Sequence, residues 1–199
     1  MRTFLFFTTL LSTIISSSAR ADQDIQIRVS VPEQRLYLFD GDKKIATYRV
    51  STSAFGLGDS YGSYATPLGR LVVASKVGDG AEIGAVFKGR CRTGEVCAIN
   101  AAGRDPIVTR ILHLRGTEKQ NSRAYSRGIY IHGTADERRI GTPASYGCIR
   151  MKSSDIVKVF NTVGVGTSVE ITDQRIGSGL FNFVSHSTSR TPKVATKVR

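Results

Sequence analysis

Read for the spacing of its apolar residues, the chain falls into strands with a single helix near its end. Ile25-Gln26-Ile27-Arg28-Val29-Ser30-Val31 alternates apolar and polar residues, as a half-buried strand does. After the turn residues Pro32-Glu33, the run from Gln34 to Phe39 is apolar on both faces. Asp40-Gly41 then marks a turn into a third strand from Lys44 to Ser51. The spacing thus predicts an antiparallel β opening. Thr52 to Tyr64, rich in Gly, Ser and aromatic residues, follows neither period and reads as a loop of functional length, with Tyr61 or Tyr64 placed near a substrate. Thr66-Pro67-Leu68-Gly69 turns into a strand from Arg70 to Lys76.

The glycine-rich stretch from Gly78 to Gly94 is expected to be irregular apart from an edge strand at Val86 to Gly89, and a short strand is expected from Val96 to Asn100. Ile107 to Leu114 is rich in β-branched residues and predicts a central strand; His113 within it reads as structural. A polar, basic loop from Arg115 to Arg127 leads to another β-prone run at Gly128 to Ile131. Past Arg150 the period changes. Ile156, Val159, Phe160 and Val163 recur at helical spacing, with Ser153 or Ser154 as the cap and Gly164 at the end. Thr167 to Thr172 is the closing strand.

Composition adds an address. Arg2 precedes the apolar run Phe4 to Ile15, and Ala19-Arg20-Ala21 offers a small-x-small cleavage site, so residues 1–21 read as a secretory signal peptide. The run is too short for a stable bilayer anchor. A domain over 22–175 and a basic, flexible tail over 176–199 complete the layout, and a monomer is expected. Without the leader, 26 basic side chains face 16 acidic ones, which favours anionic partners. Nucleic acid is set aside, because no motif interleaves aromatics with the basic residues. Of the three cysteines, Cys91 and Cys97 flank a short loop and are the disulfide candidates, which leaves Cys148 as the free thiol. No metal site is expected, since no histidine lies near that loop.

The chemistry concentrates in Ile131-His132-Gly133-Thr134 and Ser145-Tyr146-Gly147-Cys148-Ile149-Arg150. A thiol attacks a carbonyl as thiolate, so a catalytic cysteine needs a neighbour that takes its proton or stabilises its charge. His132 is the nearest candidate, and Arg150, two residues beyond Cys148, would share its face in an extended segment. Arg150 would favour thiolate and either clamp a carboxylate or, the preferred role, brace the loop through backbone carbonyls. The N–H groups of Tyr146, Gly147 and Cys148 are candidate donors to an oxyanion. Taken alone, a cysteine beside glycine reads more readily as a small buried hydrophobe than as a nucleophile.

These two segments resemble the signature of the L,D-transpeptidase catalytic domain, the YkuD-like family. The opening hairpin and the Thr-Pro-x-Gly turn are also similar to that family's. The resemblance implies a mainly β fold with one principal helix, a mixed β-sandwich. It implies Cys148 as nucleophile, His132 as base and the Gly133 carbonyl as the group that orients the imidazole, with Ser145, Tyr146, Gly147 and Arg150 around substrate. Tyr146 stands where the family usually has histidine. No cofactor is implied. The implied reaction is acyl transfer on peptidoglycan stem peptides: a thioester forms on Cys148, D-alanine leaves, and an amine or water takes the acyl group. A cysteine peptidase trimming wall peptides and a non-catalytic wall-binding domain are the alternatives.

Overall fold

The computed structural model describes residues 24–176. The leader expected over 1–21 and the tail beyond Ile176 lie outside the described residues. Strands β1 (Ile25–Ser30), β2 (Arg35–Asp40) and β3 (Lys43–Ser51) form the expected antiparallel meander. Its register sets Ile27 beside Leu38 and Val29 beside Leu36, so the apolar alternates of both strands point inward together.

From β3 the sheet continues through β9 (Ile149–Met151), β8 (Tyr130–Thr134), β7 (Ile107–Gly116) and β4 (Gly69–Val77) to β10 (Ser168–Thr172), which pairs in parallel with β1. Because β4 also pairs with β7, the sheet closes on itself, and the layers of the expected sandwich are one continuous wall. The hairpin β5 (Ala85–Lys88) and β6 (Cys91–Val96) extends from the remaining edge of β7. Among the described residues no helix is long and apolar enough to cross a membrane.

The helix α1 (Ser153–Thr162) packs on β7 and β8. Its Ile156, Val159 and Phe160 join Leu112, Leu114, Ile131, Ile149 and Met151 in the main core. Burying each such side chain is worth about 1.5–3 kcal/mol, so the helix holds β8 from behind. Its ends differ from expectation. The N-cap is Lys152, and the Ser153 N–H donates to Glu137 Oε1 at 2.7 Å, so a carboxylate from the preceding loop replaces the serine cap. At the other end Lys76 Nζ donates to the carbonyls of Phe160 and Val163, and Val163 is extended; Gly164 is not the stop.

Two further expectations are corrected. The strand expected at Val96 to Asn100 is instead β6, which lies wholly upstream of Cys97 and is exposed along its length. With no buried face it has no apolar alternation to read. Cys91 and Cys97 do not pair. Cys91 lies opposite Lys88 and the Cys97 N–H bonds the Gly84 carbonyl, so the two are four residues apart along the partner strand, roughly 13 Å. A disulfide needs Cα atoms within about 7 Å. Both are free thiols, Cys91 exposed and Cys97 buried.

Candidate active site

Strand period places the chemistry. Ile131 and Ile149 are register partners in the core, so their neighbours His132 and Arg150, themselves partners, face the other way. Cys148 precedes β9 by one residue and comes level with Tyr130, whose N–H donates to Sγ at 3.4 Å. Cys148 and His132 are therefore diagonal neighbours on one face of adjacent parallel strands. The thiol donates to the Gly128 carbonyl at 3.4 Å, and among the described residues no hydrogen bond joins Sγ to the imidazole at rest.

His132 is 5% exposed, and its Nδ1 lies 2.8 Å from the Gly133 carbonyl. A carbonyl only accepts, so Nδ1 carries the proton and Nε2 keeps its lone pair. Burial pushes the imidazole pKa down to about 4; the Gly133 bond opposes this, the nearby Arg150 cation adds to it, and Asp105 opposes it. Burial likewise pushes the Cys148 thiol up, against the Tyr130 N–H and the cations Arg150 and Arg127. Both shifts favour the uncharged forms of the thiol and the imidazole.

The residues around the thiol hold its loop. Ser145 is buried; its Oγ donates to the Cys148 carbonyl at 2.6 Å and accepts the Gly147 N–H at 3.2 Å. That bond takes Gly147 out of the set of expected oxyanion donors. Gly147 has φ +114°, and a Cβ there would lie 3.1 Å from the Ala65 carbonyl, so neither the backbone nor the space admits a larger residue. Thr66 Oγ1, from the Thr-Pro turn, donates to the Gly147 carbonyl.

Tyr146 points away from this packing. It is 63% exposed, and its ring lies 5.2 Å from Phe55 and 5.5 Å from Tyr64, both also largely exposed. Of the two loop tyrosines singled out in the sequence, Tyr64 belongs to this cluster, while Tyr61 bonds Ser126. His113 is buried against Tyr125, stacked at 4.0 Å with Nε2 3.0 Å from the Tyr125 carbonyl.

Among the described residues Arg150 makes no bond to a backbone carbonyl, and it does not stand free as a clamp. Its Nη1 pairs with Asp105 Oδ2 at 2.5 Å, and the other carboxylate oxygen accepts from Thr134. A second pair was also missed in the sequence: Arg127 Nη1 and Asp59 Oδ1 are 2.8 Å apart, both side chains 6% exposed. Arg127 also donates to the carbonyls of Gly58 and Ala65, and Asp59 accepts the Arg123 N–H, so one buried ion pair ties the aromatic loop to the segment leading into β8. These residues lie in loops without period, and no local pattern joins them.

A thiol and a tautomer-fixed imidazole on one face of neighbouring strands are suited to nucleophilic chemistry with general-base assistance. The chain belongs to the family of the L,D-transpeptidase catalytic domain, YkuD, whose model matches residues 24–171. Among named proteins it is similar to YqjB of Bacillus subtilis (strain 168), 51% identical over 43 residues, and to ErfK/SrfK of Escherichia coli (strain K12), 48% identical over 46 residues. Both carry L,D-transpeptidase names. The matches span 22% and 23% of this chain, and only 24% and 15% of those proteins. A solved L,D-transpeptidase from Mycobacterium smegmatis superposes with a TM-score of 0.48 at 15% identity, over 75% of this chain and 59% of that one.

Proposed function

We propose that this protein is an exported cysteine acyltransferase acting on peptidoglycan stem peptides, with Cys148 as nucleophile and His132 as base. The observation that carries the reading is the Nδ1 bond of His132 to Gly133, which leaves Nε2 unprotonated on the face that also bears Cys148.

In this reading the thiol rotates from the Gly128 carbonyl toward Nε2 as substrate enters. Sulfur attacks the carbonyl that joins the L-centre of the diamino acid to the terminal D-alanine. The thiol proton passes to His132 and then to the departing amine of D-alanine. A thioester remains on Cys148, and an amine of a second stem or water resolves it, with His132 taking the proton of that nucleophile. The neutral resting pair suits a thiol that is activated when substrate is present and otherwise resists oxidation. Tyr146, Phe55 and Tyr64 form the outer wall of the cleft, and Arg150, neutralised by Asp105, holds β9 in register with β8.

Purified protein incubated with a tetrapeptide stem is expected to release D-alanine and to gain the tripeptide acyl mass on Cys148. Binding with neither product would make it a wall-binding domain. Release of fragments other than D-alanine would make it a peptidase. Export is tested separately, by the intact mass of material recovered outside the cytoplasm, which is expected to begin at Asp22.

A further inference from the structure

The geometry points to Thr109, buried on β7, as a positioning residue that sets the tautomer of His132 by way of Gly133. This rests on His132 being the base. Val108 pairs with Gly133 across the β7–β8 ladder, so regular pairing would put Thr109 opposite His132. Instead Ile111 is the partner of His132, and Thr109 and Arg110 are extra residues bulged opposite the junction between the imidazole and the carbonyl it bonds. A bulge interrupts ladder bonding where it occurs. Here it sits against the step from His132 to Gly133, the residue whose carbonyl accepts from Nδ1.

The bulge is held against its own preference. Thr109 is fully buried with φ +71°, a conformation that a β-branched side chain rarely adopts. Two bonds of its hydroxyl keep it there: Oγ1 donates to Ser153 Oγ at 2.8 Å and accepts the Gly84 N–H at 3.0 Å. Arg110 Nη1 adds a bond to the Thr109 carbonyl at 2.7 Å. Against this knot Gly133 lies flush; a Cβ on it would come within 2.6 Å of the Val108 carbonyl and 3.2 Å of Thr109 Cβ. Side-chain bonds at Thr109 thus reach the base through one glycine, and the same Ser153 whose N–H is capped by Glu137 anchors them to α1.

The test uses full-length protein carrying Thr109→Val, which keeps the shape and removes both hydroxyl bonds, and Thr109→Ser, which keeps them. Nitrogen-15 correlation spectra at neutral pH report the imidazole tautomer, with the His132 signals assigned by their loss in His132→Gln. Wild type and Thr109→Ser are expected to show His132 protonated at Nδ1. Thr109→Val is expected to show a mixture, with kcat lower by roughly tenfold to a hundredfold and KM within about twofold. Should Thr109→Val not fold, Ser153→Ala removes the acceptor of the Thr109 hydroxyl and is expected to shift the tautomer in the same direction. A folded Thr109→Val or Ser153→Ala protein with wild-type tautomer and kcat overturns the assignment, as does a Thr109→Ser protein that fails like the valine. The tautomer is read without turnover, so a protein lacking acyl transfer would sink the proposed function while leaving this inference to be decided on the spectra.

Discussion

The strand that carries His132 and the aromatic loops near Cys148 are built by opposite means. On one side His132 stands on β8, backed by α1 and the β7 bulge, and takes its orientation from a backbone carbonyl. On the other, Tyr146, Phe55 and Tyr64 are exposed rings on loops, with the Ser145 hydroxyl holding the loop of Tyr146 and the buried pair of Asp59 and Arg127 holding that of Phe55 and Tyr64. The difference separates two tasks. A side chain that holds one tautomer and one direction is fixed by a packed strand. Rings left open to solvent take their support from bonds made beneath them, the buried Asp59–Arg127 pair among them.

The largest effect is expected from breaking that underpinning. Asp59→Ala leaves Arg127 buried without its counter-charge and should cost about 3–5 kcal/mol of stability in denaturant unfolding. The double replacement Asp59→Ala with Arg127→Met should recover part of the loss. If the single variant unfolds like wild type, the loop is not held in this way.

The strand side is probed by acid. The unfolded chain protonates His132 near its ordinary value of about 6.5, whereas the folded protein resists until about 4, so the unfolded state binds more protons between those values. Stability is therefore full above pH 6.5 and falls as pH drops, by about 3 kcal/mol at pH 4 from this group. Subtracting the profile of His132→Gln from that of wild type should reveal this slope. Equal slopes would mean that the imidazole is not buried neutral.

A smaller and more local effect concerns the thiol. With its pKa raised by burial, Cys148 should be alkylated by iodoacetamide at a rate that keeps climbing beyond pH about 8.5. A flat rate from mildly acidic to neutral pH would instead mean a preformed ion pair. The smallest stability change is expected on the aromatic side: Tyr146→Ala should alter unfolding by less than about 0.5 kcal/mol, since the ring is mostly in solvent. It should still raise KM for a stem peptide. An unchanged KM would remove Tyr146 from the cleft wall.

This division also governs what was legible in the sequence. Burial left its mark on the sequence: the alternation of Ile27 and Val29 announced β1, the apolar run Leu36 to Phe39 announced β2, and Ile156, Val159 and Phe160 announced α1. β6 is exposed throughout and announced nothing. His132 and Cys148 were found because their chemistry is specific and their segments follow a family pattern. Asp105, Asp59 and Arg127 were not, because ion pairs between residues far apart in the chain leave no local trace. The Ser153 cap failed for a related reason: the carboxylate of Glu137 comes from outside the helix. Cys91 and Cys97 looked close only in sequence, since a strand run keeps its ends apart. The conformation of Thr109 contradicts its residue type and emerges only with the fold.

The most direct test is the rate at which Cys148 gains an acyl group from a stem tetrapeptide, followed by mass in wild type and in a folded His132→Gln protein. The account predicts acylation at Cys148 in wild type and a rate at least ~100-fold lower without the imidazole. Equal rates in the two proteins, or an adduct on any residue other than Cys148, would contradict it.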